Sequence, residues 1–440
     1  MYRLVIVIAL SMMAVIVGCV AMPVTKAPAD KITLVYSANL DGELEPCGCS
    51  EGGNKGGIKR IVHVTDQLRA KYPDLFLLSA GGLLVSEMPQ DKVKSEYILK
   101  GFAAMNFDAI GVQWRDLGYG PEFVQTTLLP FVSSNWQNGN FAPSKTINRA
   151  GRRVSYFQWL DPKANPAQQM HGEHAATADV TKLAQALAQA KAEGNTTVLA
   201  STLTLEEAQS TLPLENVDIV IIKAKYEAFG EPKKIGKTLF LEPGSRGMRL
   251  GVLDLSLDPR GGITAFNHEV IALPPEVGDA PRMNAWYEEY NARVKTDYEK
   301  RVALRAQMKV AVSPYAGANS CKSCHAKEYE IWRDTPHAGA FHKLQDVNKA
   351  FDPDCIGCHT VGFEKPGGFL DEMLTPELMH VQCENCHGAA RQHVESAGKI
   401  KVANASWKPK EFCAQCHVQK HSPDFVFEKY WPKIAHGKVG

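Results

Sequence analysis

Four five-residue segments near the end of the chain share one pattern: Cys321-Lys322-Ser323-Cys324-His325, Cys355-Ile356-Gly357-Cys358-His359, Cys383-Glu384-Asn385-Cys386-His387 and Cys413-Ala414-Gln415-Cys416-His417. Two thiols three positions apart fall within one helical turn, so each can form a thioether to the edge of one macrocycle. The adjacent imidazole then lies beneath the centre of that ring and can ligate an iron there. C-x-x-C-H is accordingly the attachment pattern of c-type haem. The Cys and His frequencies of this chain give about 0.01 such motifs by chance, so four are a built feature. Zinc and disulfides are the competing uses. Zinc ribbons separate their CxxC pairs by roughly 15–20 residues, whereas the intervals here are 30, 24 and 26 residues. Neither use explains a histidine directly after every pair. The reading is four covalently bound haem c groups, with His325, His359, His387 and His417 as proximal iron ligands.

Low-spin haem takes a second axial ligand. The tail holds six further histidines: His337, His342, His380, His393, His421 and His436. The first 312 residues contain four, His63, His171, His174 and His268, so ten of the 14 lie in under a third of the chain. Six candidates for four positions is a surplus, leaving at least two for other roles such as hydrogen bonding near the haems. Met373 and Met379 are the alternative donors. Paired imidazoles give lower potentials than a Met/His set.

Of 440 residues, 49 are Lys or Arg and 48 Asp or Glu, a net charge of +1. That balance, without a basic run, argues against a nucleic-acid partner. At 45% apolar and 22% charged the chain is no disordered polymer. Eight of its 11 cysteines lie between Cys321 and Cys416, and Ser50 to Ser320 has none. The halves are chemically different.

The start reads as an address. Arg3 precedes the uncharged run LVIVIALSMMAVIV, too short for a span of about 20 residues, and the run ends in a small residue before a cysteine. This is a signal-peptide layout. Ile16-Val17-Gly18-Cys19 resembles a bacterial lipoprotein signal, which implies cleavage before Cys19, lipidation of its thiol and an N-terminal lipid anchor in the membrane. A plain secretory signal or an uncleaved anchor are the alternatives. Val20, where an inner-membrane retention signal would carry Asp, points to the outer membrane. The expectation is an exported protein of the cell envelope, with residues 1–18 as signal and 19–30 as tether.

The elements that must position these groups alternate. Ile32–Tyr36, Leu75–Ala80, Thr197–Thr202, Val217–Ile222 and Leu250–Leu255 read as buried strands. Thr181 to Glu193 reads as a helix with Leu183, Ala186, Leu187 and Ala190 on one face, ended by Gly194. The alternation argues an α/β layered domain over 31–275. Pro274-Pro275 ends it. A charged amphipathic helix from Arg282 to Gln307 follows, with Trp286, Tyr290, Val294 and Tyr298 at four-residue steps, inside a connector of 276–312. The tail, 313–440, reads as short helices broken by Gly and Pro. With too few residues for an apolar core, it is expected to use the macrocycles as its core, packed by Trp332, Phe341, Trp407 and Trp431.

Two resemblances sharpen this. The stretches CKSCHAKEYEIWRDTPHAGAF, HVQCENCHGAARQH and YWPKIAHG resemble tetrahaem c-type cytochromes that accept electrons in bacterial ammonia oxidation. The resemblance implies His337, in a W-x-x-T-x-H segment, and His380, just before an attachment motif, as distal ligands. His393 and His436 complete the set, and such a protein can also hold one haem five-coordinate. The segments LVYSANLDGELEP, LFLLSAGG, DAIGVQWRDLGYG, VLASTLTLEE, VDIVIIKAKY and LEPGSRGMRLGVLDLSLD resemble the 5′-nucleotidase type of metallophosphoesterase. At that family's metal-ligand positions this chain has Asn39, Asp41, Gly82, Trp114-Arg115, Thr202, Ala224 and Tyr226. A two-metal hydrolase needs bridging carboxylates and imidazoles, so no dinuclear site and no hydrolase activity are expected. Cys47 and Cys49, in the former active-site loop, fit a structural pair, a reducible disulfide, a metal site or an intermolecular link.

The fold class expected is therefore α/β: a metallophosphoesterase-like layered β-sandwich with flanking helices, followed by a mainly α-helical, loop-rich multihaem cytochrome domain. The function expected is electron transfer between redox partner proteins, such as other cytochromes or a quinol-linked donor, rather than catalysis. The first domain would serve docking, assembly or self-association. The rival is a multihaem oxidoreductase acting on a small nitrogen or sulfur compound at one open iron.

Overall fold

The computed structural model describes residues 31–436 except 47–52, 89, 138, 165–175, 226–228, 309, 311 and 407. The signal segment, Cys19 and the tether, Cys47, Cys49, Tyr226 and Trp407 lie outside the described residues.

The apolar runs become the centres of two six-stranded sheets. The first has the order β12 (Ile263–Ala272), β11 (Arg249–Leu257), β1 (Lys31–Ser37), β2 (Phe76–Ser79), β3 (Ala109–Gly111) and β4 (Phe131–Val132). The second runs β5 (Lys145–Arg149), β6 (Arg152–Trp159), β7 (Thr196–Ser201), β8 (Ile219–Ile221), β10 (Thr238–Leu241) and β9 (Lys233–Ile235). Each has a parallel run, β1 to β4 and β6 through β8 to β10; antiparallel strands extend the first on the β1 side only and the second on both sides.

Side chains alternate across a strand, and that assigns the layers. Leu34 and Tyr36 of β1 point between the sheets, where they meet Phe76, Leu78, Val198, Ile219, Leu253 and Leu255. Val35, between them, faces the other way, into the layer of helices Ile58–Lys71 and Asp91–Ala103. The outer face of the second sheet, Phe157, Trp159, Leu199 and Val220, is covered by Leu183, Leu187 and Ala190 of helix Thr181–Ala192. The result is the expected layered α/β sandwich, with helices outside both sheets. The short or polar strands β3, β4, β5 and β9 carried no run long enough to read in sequence.

Helix Asn284–Ala306 crosses from the sandwich to the tail, with Tyr290, Val294, Tyr298 and Val302 buried. The tail is made of short helices and loops, as expected, but the expectation that it lacks an apolar core needs correction. Phe341, Leu344, Phe351, Ile356, Val361, Phe369 and Leu378 are buried in a cluster continuous with that helix and with the sandwich's helical layer. The long helix supplies the wall that the tail's own residues could not. Beyond Ala390 no described residue is buried.

Polar contacts tie the tail down. Asp354 is ion-paired with Lys94 and accepts from Gln90 Nε2 at 3.3 Å. Lys349 is paired with Glu45 and donates to Asn291 Oδ1 at 2.9 Å. Lys420 lies 3.2 Å from Glu43, and Arg246 Nη2 donates to the Lys420 carbonyl at 2.8 Å. The alternating acids Asp41, Glu43 and Glu45 thus turn one loop after β1 into an acidic edge, and two of them hold lysines of the tail.

Candidate functional site

The eight motif cysteines are not joined in disulfides. The short helices Pro353–His359, Cys383–His387 and Pro409–Cys416 carry three of the motifs, and the first precedes helix Ala326–Arg333. Three of the four proximal histidines face a second imidazole. Ring centroids are 6.1 Å apart for His325 and His393, 5.9 Å for His387 and His436, and 6.1 Å for His417 and His337. Two metal–nitrogen bonds of about 2 Å each, plus two ring radii of about 1.1 Å, separate trans imidazoles by roughly 6 Å.

The protonation pattern agrees with a ligand role. The Nδ1 of His359 lies 2.6 Å from the Ala340 carbonyl, that of His393 2.7 Å from Ile400, and that of His436 2.8 Å from Ile434. A carbonyl can only accept, so Nδ1 donates, which leaves Nε2 as the atom the neutral ring would offer a metal. Burial lowers the pKa of His337, His387 and His417, favouring the neutral rings.

His380 behaves differently. Its Nδ1 accepts the Phe341 amide at 3.2 Å, and its ring meets His342 edge-on with centroids 4.6 Å apart. It stands at φ 74°, in the left-handed region. His359 is near enough to disfavour a proton on it. Among the described residues, however, no ring faces His359 at the 6 Å spacing.

Contacts between motifs give an order. The thiols of Cys321 and Cys383 lie close enough to perturb one another, as do those of Cys358 and Cys416. Cys386 is raised to about 11 by burial and then by the nearby Cys413. The motifs therefore neighbour one another in the sequence first, third, fourth, second.

Glu384, between the cysteines of the third motif, was not foreseen. It is 3% exposed and accepts the amides of Ala316 (3.0 Å), Gly317 (2.8 Å) and Ala390 (2.8 Å). Gln382 accepts the Ala318 amide at 2.6 Å and donates to the Glu377 and Met379 carbonyls. Together they fasten the entry to the first motif onto the third. A polar residue inside C-x-x-C reads as solvent-facing, and only the folded loop shows otherwise.

At the other end of the chain, Asn39 and Asp41 stand at φ 49° and 56°. Asn39 accepts from Gln113 Nε2 at 3.0 Å. Asp41 is ion-paired with Arg115 and accepts the Arg246 amide at 3.2 Å. At Gly82 (φ 74°) an added Cβ would come 2.7 Å from Gln113 Oε1, so a carboxylate there would displace Gln113. Trp114 Nε1 donates to the Asp161 carbonyl at 2.7 Å. Asp116, also missed in sequence, is fully buried and accepts four amides, from Gly82, Leu83, Leu84 and Gln113, at 2.6–3.1 Å. The one acidic ligand position kept in the first loop is thus neutralised by a guanidinium.

These two regions differ in kind: a tail built around four C-x-x-C-H motifs and a layered α/β sandwich. Comparison with known proteins gives the same division. The profile of the family described as Cytochrome c554 and c-prime matches residues 320–388, which hold the first three motifs. Cytochrome c-554 of Nitrosomonas europaea is 32% identical over 143 residues, 26% of this chain and 61% of that protein, so the chain spans 61% of the length of this relative. The sandwich resembles a 5′-nucleotidase precursor from Thermus thermophilus, with a TM-score of 0.52 at 18% identity over 72% of this chain and 68% of that one. It also resembles the sulfate thiohydrolase SoxB of the same organism, with a TM-score of 0.50 at 17% identity over 60% and 61%. The tail is similar to the c-554 cytochromes, and the first part has the fold of 5′-nucleotidase-type phosphoesterases.

Proposed function

We propose that this protein is an exported tetrahaem c-type cytochrome that carries electrons between redox proteins of the cell envelope. Three imidazole pairs at 5.9–6.1 Å, each beside a C-x-x-C thiol pair, carry the reading. In it the twelve motif residues hold four haems, and His393, His436 and His337 serve distally to His325, His387 and His417. Bound haem supplies iron that cycles between ferric and ferrous. The chain's own residues would anchor each ring by two thiols and fix imidazole orientation through Nδ1. The motif order gives a path of first, third, fourth and second sites.

In this reading the sandwich, bounded near 275, and the connector to 312 hold the second and fourth sites through Glu43, Glu45, Lys94 and Asp354. The first domain then docks its own cytochrome. Cys19 would be the lipid anchor of an outer-membrane lipoprotein, and no helix among the described residues is long and apolar enough to cross a membrane. A second reading draws on His359, which no ring among the described residues faces. There the second iron keeps an open position, as a reductase of small nitrogen or sulfur compounds would need. With His337 already facing His417, His380 is the neighbouring imidazole left to close it.

Haem content by the pyridine haemochrome assay, with low-temperature EPR of the oxidised protein, tests both. Four haems per chain with low-spin signals only would support the carrier. A quarter of the iron high-spin and shifting with nitrite or sulfite would support the second reading. Fewer than four haems would overturn the count.

A further inference from the structure

The two ends of the motif order meet different surroundings. The second site is covered: Lys349, Asp352 and Asp354, just ahead of Cys355, are buried or half-buried against the sandwich through Glu45, Lys94 and Gln90. The first site faces outward, with the flanking Lys322, Ser323 and Lys327 all exposed. Its facing imidazole, His393, is bonded to the Ile400 carbonyl, and this brings a second exposed strip, Lys399, Ile400 and Lys401, beside it. Ile400 is 49% exposed and Val394 37%.

The acids around this surface are largely paired with arginines. Glu330 and Asp334 are paired with Arg333, and Glu395 with Arg391. Lys327, Lys399 and Lys401 make no ion pair among the described residues, and Lys322 lies 5.3 Å over the Tyr329 ring. An apolar patch rimmed by uncommitted lysines is the geometry of a transient electrostatic encounter, in which rim charges steer and a small dry centre docks.

We propose that the surface formed by Lys322, Lys327, Lys399 and Lys401 around Ile400 and Val394 is the docking site for a redox protein whose cofactor is ringed by Asp and Glu. The first site is then the partner-facing end, because the sandwich occupies the other. This rests on the reading of the tail as a row of haems.

The test measures binding of an oxidised plant-type ferredoxin, an acidic one-electron protein, to the oxidised full-length holoprotein by calorimetry at low and high salt. The variant K322E/K327E/K399E/K401E is expected to weaken binding about tenfold at low salt and to flatten its salt dependence. A control with the same charge change on and behind the second sheet, K145E/K182E/K233E/K237E, is expected to leave Kd within about twofold. Equal weakening by both variants, or by neither, overturns the docking site. Haem content is measured on every sample. Fewer than four haems in the wild type would fail the underlying reading, whereas four haems with an unmoved Kd would fail the docking site alone.

Discussion

The loop after β1 and the tail around the four motifs are both places where charged or ligating side chains converge, and they do so in opposite ways. At the loop the opposite charges meet each other: Arg115 neutralises Asp41, Arg246 and Lys420 lie against Glu43, and Lys349 pairs with Glu45. In the tail like groups meet instead, as three imidazole pairs at ring-centroid distances of 5.9–6.1 Å. A converging set that satisfies itself stabilises a contact. A set of like groups gains no mutual charge pairing and is positioned by surrounding hydrogen bonds, as at Nδ1 of His393, His417 and His436. Residue type alone does not separate the two cases.

The largest effect should come from the third motif, which touches both the first and the fourth. Replacing Cys383 and Cys386 by Ser is expected to leave at most three haems and to interrupt the row, read as haem content and as loss of full reduction by a donor supplied at one end. His393→Ala comes next. One quarter of the low-spin EPR intensity should convert to high-spin while the haem count stays at four. Retention of all low-spin signals would remove His393 from the ligand set.

Glu384→Gln should act on potential. A buried carboxylate beside the first and third sites stabilises ferric iron, so its neutral replacement should raise two of the four midpoints. A tenfold shift in the ferric-to-ferrous ratio, about 59 mV for one electron, is the expected scale. Glu384→Asp should restore them.

A smaller effect is expected from acid. Lys94 and the hydrogen bonds around it hold the Asp354 carboxyl below the usual carboxylate range, despite burial. Its contribution is complete above the unfolded pKa of about 3.9 and is lost as pH falls through the lower folded value. Lys94, raised by Asp354, contributes below its unfolded pKa of about 10.4 and loses this at higher pH. Hydrogen exchange over residues 349–356 should therefore be flat between about pH 5 and 9 and quicken, beyond its intrinsic pH dependence, below about pH 4. The smallest effect belongs to Arg115→Ala. It should free Asp41 and leave haem spectra unchanged, and acquisition of manganese-dependent phosphatase activity would show that the sandwich can still assemble a metal site.

Much of this was legible beforehand, for definite reasons. The strands around Leu34, Leu77, Leu199, Val220 and Leu253 were readable because buried parallel strands are continuous apolar runs. Strands β5 and β9 were not, since Lys145–Arg149 and Lys233–Ile235 are polar edges ordered only by their neighbours. The helix at Asn284–Ala306 was readable from its four-residue steps, but not its service as a wall for Phe341 and Phe369. His337, His393 and His436 were named as ligands, yet their partners were not, because the pairing runs across 49 to 80 residues of chain. Glu384 and Asp116 were overlooked because backbone amides, which leave no trace in sequence, are what satisfy them.

The sequence by itself determined the chemistry: the four attachment motifs, the excess of histidine beside them, and the absence of metal ligands at the positions of the phosphoesterase resemblance. These are local facts, written in residue types a few positions apart. Only the tertiary structure decided which imidazole faces which, which motif neighbours which, and that the acidic loop after β1 closes on one end of the row while the other is left to solvent. Those are long-range contacts, and they follow from how the sandwich, the connecting helix and the tail pack, which no local spacing specifies.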